Sequence, residues 1–229
     1  MKSEPLKNLL KEAGASVVGV GDVSRALTPE IRHLSRAVAI GINRNLNRGT
    51  LRLLTHLQLL TEEWLRDRGS RVLTIPPDSD RQRGKLISRL YKLFCHKTAE
   101  TCAGLGWIGK NGLLIHREFG SKLSWVTVLT DAPLETDSPS EHSECGECEL
   151  CIQHCPSGAL TGKVWSMDEP IQEIVCYEKC RSLKSKRSAI EGKPNCGFCV
   201  TVCPYSRSGR TRSDSVPFPA ENESIACPS

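Results

Sequence analysis

Residues 4 to 14 place Leu6, Leu9 and Leu10 on one helical face with charges elsewhere, and Gly14 ends the pattern, which predicts an amphipathic helix. SVVGVGDV then reads as a short strand. TPEIRHLSR reads as a helix with Thr28 as N-cap and Pro29 at its first position. AVAIGI is a continuous apolar run bounded by polar residues, the mark of a strand buried on both faces. Leucines at 51, 53, 54, 57, 59, 60 and 65 predict a long helix from about Thr50 to Arg68, which Gly69 closes before the strand RVLTIP. Residues 80 to 102 read as a further helix with Leu86, Ile87, Leu90, Leu93 and Phe94 as its buried stripe. A hairpin is expected over LLIHREFGSKLSWVTVLTD, turning through Phe119, Gly120 and Ser121.

This alternation implies an α/β layer over residues 1–131. Residues 132–144, APLETDSPSEHSE, have the turn and acidic residues of a connector. Residues 145–207 carry two dense cysteine blocks, and 208–229 are rich in Ser, Pro and Gly without apolar periodicity, as in disordered tails. The fold class is therefore α+β, with two small domains in 229 residues.

Charge changes this picture little. The net +5 sits partly in RSLKSKRS and YSRSGRTRSDS, which read as a solvated face and tail rather than a nucleic-acid surface. No apolar run approaches the about eighteen residues that span a bilayer, so no membrane partner is expected. MKSEPLKNLLKEAG has no apolar core of a secretory signal, which points to the cytoplasm, where reduced cysteines hold metal.

The most specific signal is the cysteine spacing. CGECELCIQHCP is C-x2-C-x2-C-x3-C-P, the spacing of bacterial ferredoxins with four-iron clusters, in which the fourth cysteine ligates the other cluster. CGFCVTVCP supplies the partner as C-x2-C-x3-C-P. Two [4Fe–4S] clusters follow: the first with Cys145, Cys148, Cys151 and Cys203, the second with Cys155, Cys196, Cys199 and either Cys176 or Cys180. Spacing alone does not choose between the last two. The competing chemistry is zinc, because Cys176, Cys180, Cys196 and Cys199 approximate a zinc ribbon. That reading leaves Cys155 and Cys203 unused and ignores both Cys-Pro endings. Cys95, Cys102 and Cys227 are left as free thiols.

Gly104, Gly106 and Gly109 spell G-x-G-x-x-G, but they follow a helix and open a strand, the reverse of a dinucleotide fingerprint. NAD is therefore excluded, and the glycines let backbone approach either a neighbouring element or a flat cofactor. Lys110 and Asn111 beside them are candidates to hold a phosphate or amide of a cofactor tail, or form a solvated loop. Tyr91, His96 and Lys97 are the candidate proton donors, with His96 titrating nearest neutrality. The bland alternative, a surface His-Lys pair and a snorkelling Tyr, is the stronger for each.

AGLGWIGKNGLLIHREFGS, VLTDAPLETDSP, CGECELCIQHCPSGAL and CGFCVTVCPYSR, in this order and spacing, resemble epoxyqueuosine reductase over roughly residues 95 to 207. The wider family includes reductive dehalogenases, similar in pairing a cobalamin-binding domain with a double-cluster ferredoxin-like domain. The resemblance implies a cobalamin-domain-like N-terminal layer, a cobalamin that the clusters reduce to Co(I), and a low-potential donor of ferredoxin or flavodoxin type. It also favours Cys176 over Cys180. The family stretch resembling VDSAPVLE, whose aspartate is the proposed proton donor, is replaced by RLYKLFCHKTAET, with Leu90 at the aspartate's place. The N-terminal region is short for that enzyme, and the helical repeats that help it bind tRNA are not found after the clusters, so tRNA is not the favoured partner. A compact relative is expected. Two other classes compete: a ferredoxin-type electron carrier without corrinoid, and a structural zinc protein binding nucleic acid.

Overall fold

The structure, a computed structural model, describes residues 1–43, 47–77, 94–168, 173–191 and 196–207, with the side chains of 185–191 left aside. It divides into two units: Met1–Gly106 with Lys122–Ser140, and Trp107–Ser121 with Glu141–Ser229. The division differs from a single boundary at residue 131, because residues 107–121 group with the cysteine blocks.

The first unit is a four-stranded sheet covered on both faces. Its elements are α1 (Glu4–Glu12), β1 (Val17–Asp22), β2 (Arg36–Ile42), α2 (Arg48–Arg66), β3 (Val72–Ile75), α3 (His96–Cys102) and β6 (Ser124–Thr130). The strand order is β1-β2-β6-β3, and every neighbouring pair is antiparallel. One sheet face packs Val18, Val20, Val38, Ile40, Val126 and Val128 against Leu6 and Leu10 of α1 and Leu54, Leu57 and Leu65 of α2. The other packs Ala37, Ala39, Ile75 and Leu129 against Ala99 and Ala103 at α3, with Ile31 and Leu34. β2 is thus central and buried on both sides, which is why AVAIGI carries no polar alternation.

Local chemistry sets the element ends. Asn47 caps α2, its side-chain oxygen accepting from the Thr50 N–H at 3.0 Å. Gly69, with φ +78°, takes the left-handed turn after α2. TPEIRHLSR forms only a 3-10 turn, Pro29–Ile31, and Thr28 makes no side-chain cap. Of the helix expected over 80–102, only His96–Cys102 forms α3: Cys95 is extended (φ −109°, ψ 134°), so Phe94 and Cys95 are not helical, and residues 78–93 lie outside the described residues.

The expected hairpin does not form. β6 pairs with β2 and β3, while the segment before it pairs with residues 107–108. The stretch expected as a connector is tied to the first unit: Asp137 receives the Lys7 ammonium at 2.6 Å and the Val20 N–H at 2.8 Å, and the Ser140 N–H donates to the Thr101 carbonyl at 2.8 Å.

The second unit has little regular structure. It holds the two-residue strands β4 (Trp107–Ile108) and β5 (Leu114–Ile115), the short helices α4 (Leu150–Gln153) and α6 (Phe198–Thr201), and α5 (Tyr177–Glu191). Its small core is Trp107, Ile115 and Cys203, with Cys145, Trp165 and Tyr205 packed on it. So small a core leaves the cysteine positions to be held by whatever the thiols bind. Among the described residues, no helix is long and apolar enough to cross a membrane.

Candidate metal centre

Each cysteine block is a tight turn followed by a short helix. In the first, the Cys148 N–H donates to the Cys145 carbonyl at 3.1 Å, and α4 carries Cys151. In the second, Thr201 and Val200 N–H groups donate to the Gly197 carbonyl, and α6 carries Cys199. Gly146 and Gly197, each directly after the first cysteine of its block, have φ of +51° and +69°. The C-G-x-C spelling thus reflects a left-handed turn that aims successive thiols to one side. Pro204 then opens a 3-10 turn, Pro204–Arg207.

Cys145, Cys148 and Cys151 line one pocket with Cys203, which comes from the other block. Lys110, Asn111, Ile115, Pro204 and Tyr205 complete its lining. Burial pushes the Cys151 thiol up to about 11, and the thiols of Cys145, Cys203 and Cys148 push in the same direction. The Cys199 thiol is also raised, by burial first and then by Cys155, Cys196 and Cys180. Cys199 also raises the Cys151 thiol, so sulfurs of both blocks repel one another, and a cationic iron core would neutralise them. Cys155 differs: burial works against its ionisation, but the Ser157 hydroxyl and backbone N–H groups, Ala159's among them, outweigh it and lower its pKa.

The residues around the first pocket fit a sulfur-rich cluster on a further observation. Trp107 is 1% exposed and packs with Cys203 and Cys145, yet its indole Nε1 has no hydrogen-bond partner among the described residues. A buried donor of this kind is costly unless an acceptor is supplied, and cluster sulfurs are acceptors. The four cysteines line one pocket, which brings together thiols from both blocks.

The other predicted residues fall in different places. Cys176 is buried and its thiol is disulfide-bonded, unlike the free thiol of Cys180; its carbonyl accepts the Cys180 N–H at 3.2 Å, so the two stand one turn apart where α5 begins. Gly104 and Gly106 belong to the first unit, whereas Gly109, Lys110 and Asn111 belong to the second. Gly104 has φ +65°, and a Cβ there would overlap the Ser138 carbonyl oxygen. A Cβ on Gly109 would lie 2.9 Å from Asn111 Oδ1 and 3.0 Å from Ile115. At both positions the close neighbour is the protein itself. Lys110 and Asn111 are buried beside the thiols rather than on a solvated loop.

His96 corrects the surface reading. It is 6% exposed, with Nδ1 2.8 Å from Thr127 Oγ1 and Nε2 2.8 Å from the Pro76 carbonyl. A carbonyl only accepts, so Nε2 carries a proton and donates to Pro76, while Nδ1 shares a hydrogen bond with the Thr127 hydroxyl. Lys97 is half-buried on α3. Tyr91 and Cys227 lie outside the described residues. Cys95 is exposed, and burial followed by the Asp22 charge pushes the Cys102 thiol up to about 11. Sequence reasoning did not single out Trp107 and Tyr205, whose rings meet edge to face at 4.9 Å beside Cys203. Their signal was the aromatic spelling of GWIG and CPYS.

The four-thiol pocket lies in a stretch with its own family match. Residues 144–206 match the family of 4Fe-4S double cluster binding domains. The chain is similar to epoxyqueuosine reductases. It is 33% identical over 121 residues to that of Leadbetterella byssophila, a match covering 52% of this chain and 40% of the relative. With that of Vibrio cholerae it is 36% identical over 107 residues, covering 46% and 29%. The matches thus span well under two thirds of these relatives. A crystal structure of an epoxyqueuosine reductase superposes with a TM-score of 0.64 at 19% identity, covering 92% of this chain and 67% of that one. A reductive dehalogenase structure described as suggesting a mechanism for B12-dependent dehalogenation gives 0.64 at 18%, covering 90% and 32%. These two likenesses establish the fold.

Proposed function

We propose that this chain is an iron–sulfur oxidoreductase resembling epoxyqueuosine reductase, which passes electrons through two [4Fe–4S] clusters to a cobalamin or a substrate in its N-terminal domain. The first cluster is held by Cys145, Cys148, Cys151 and Cys203. The second is held by Cys155, Cys196, Cys199 and Cys176, with Cys180 as the alternative to Cys176. The observation that carries this reading is the pocket that joins three thiols of the first block to the last thiol of the second. Exchange of fourth ligands between two blocks is the ferredoxin arrangement.

A cobalamin would supply a strongly reducing, nucleophilic cobalt. Its support is the similarity to epoxyqueuosine reductases and the likeness in fold to a reductive dehalogenase whose dehalogenation is B12-dependent. Gly104 and Gly109 add nothing to it, since both face protein atoms. For this chain's own residues, the roles are to hold the clusters through thiolates and to keep water from the first one with Ile115, Tyr205 and Trp107. An electron donor of ferredoxin or flavodoxin type, of low potential, is the partner proposed. The substrate is not assigned, and tRNA is not favoured.

The test is anaerobic purification with iron, sulfide, zinc and cobalt analysis, with and without cobalamin. About eight iron and eight sulfide per chain, with visible absorbance bleached by dithionite, are expected. Stoichiometric zinc without sulfide would end the reading. A cob(II)alamin spectrum unchanged by saturating protein would leave an electron carrier in its place.

A further inference from the structure

Lys110 is 6% exposed and lines the pocket formed by Cys145, Cys148, Cys151 and Cys203. Among the described residues, the ion pairs are Lys7–Asp137, Arg36–Asp22, Arg66–Glu62, Arg71–Asp131 and Arg117–Glu144, so Lys110 pairs with no carboxylate among them. A buried ammonium without a counter-charge is costly, and such groups are retained where an anion meets them. The pocket that Lys110 lines is itself a source of negative charge once its four thiols ionise. Four thiolates around an iron–sulfur cube leave the whole assembly anionic.

We infer that Lys110 is the counter-ion of the first cluster and holds its reduction potential above the value the thiolates alone would give. The inference rests on the cluster reading above. When the cluster accepts one electron from a low-potential reductant, its iron core loses one positive charge and the assembly becomes more negative. A fixed cation in the same pocket stabilises the reduced form more than the oxidised form. The sign follows: the cation raises the potential, and its removal lowers it. The second cluster does not share this pocket, so the effect is confined to the first. Lys110 is a positioning charge rather than a ligand, and its chemistry is met by any cation of similar reach.

The experiment is an EPR-monitored redox titration of the reconstituted full chain, with iron and sulfide measured on each sample. The first cluster is identified as the signal lost in Cys148→Ala. Lys110→Met and Lys110→Gln are expected to keep iron and sulfide at wild-type levels, to shift the first-cluster midpoint to more negative potential and to leave the second in place. Lys110→Arg restores the wild-type midpoint. An unchanged midpoint in iron-replete Lys110→Met, or Lys110→Arg behaving like Lys110→Met, overturns the inference. So does loss of iron in all three variants alike, since a structural lysine would give that result. Absence of iron and sulfide from the wild-type chain would instead sink the cluster reading itself, a different and separately visible outcome.

Discussion

The side chain of Asn111 donates from Nδ2 to the carbonyl oxygen of Cys199 at 3.2 Å, across 88 residues of chain. Its Oδ1 accepts the Leu113 N–H at 3.1 Å, so one amide both shapes the loop after β4 and ties it to the second cysteine block. Asn111 therefore braces the backbone of Cys199, a thiol proposed to hold the second cluster. Asn111→Leu leaves the Leu113 N–H and the Cys199 carbonyl without their partner, a loss of about 1–3 kcal/mol. The expected outcome is a lower melting temperature and easier iron loss to a chelator in Asn111→Leu and also in Asn111→Asp, which keeps the acceptor for Leu113 but sets a carboxylate against the Cys199 carbonyl. Equal chelation rates in all three proteins would remove the brace.

Exchange of fourth ligands makes an asymmetric prediction. Cys155→Ala should damage the second cluster although Cys155 ends the first block, and Cys203→Ala should damage the first although it ends the second. EPR of each reduced variant reads which signal disappears. Loss of the first cluster's signal in Cys155→Ala would contradict the exchange.

Cys176 and Cys180 stand one turn apart at the start of α5. With Cys176 as fourth ligand of the second cluster, Cys176→Ser lowers iron content or shifts one cluster's spectrum, and Cys180→Ser stays near wild type. The reverse pattern assigns the ligand to Cys180, whose thiol already acts on Cys199.

Among the described residues His96 hydrogen-bonds Thr127 and Pro76 inside the first unit, and its Nε2–H is committed to a carbonyl. His96→Leu should cost about 1–3 kcal/mol in denaturant unfolding, since it leaves a buried hydroxyl and carbonyl unsatisfied. Iron content and both cluster potentials should remain those of the wild type. A variant as stable as wild type but impaired in substrate reduction would return His96 to the candidate proton donors.

Gly104 has φ +65° with the Ser138 carbonyl where a Cβ would stand. Gly104→Ala combines a left-handed backbone strain of roughly 1–3 kcal/mol with that overlap. Circular dichroism melting should show the first unit destabilised whether or not cobalamin is present. A variant with unchanged melting and lost corrinoid affinity would make the glycine a cofactor contact.

What the chain determines by itself is the local part. The cysteine spacings point to a cluster type because ligand geometry is carried by a few bonds between neighbouring residues, as in C-G-x-C with its left-handed glycine. The leucine stripes of α1 and α2 and the apolar run of β2 likewise report burial directly, since a face removed from water must be apolar along its own length. Tertiary structure decided everything that depends on pairing at a distance. β5 and β6 are adjacent in sequence and look like one hairpin, yet β6 finds a better site between β2 and β3, where both its faces are covered. His96, spelled beside Lys97 like a surface pair, is drawn inside by partners 31 and 20 residues away. Lys110 and Asn111 are polar residues in a glycine-rich loop, a composition that reads as solvated. They are buried because the cysteine blocks, far along the chain, close over that loop, and no local pattern records which distant groups will satisfy a polar side chain.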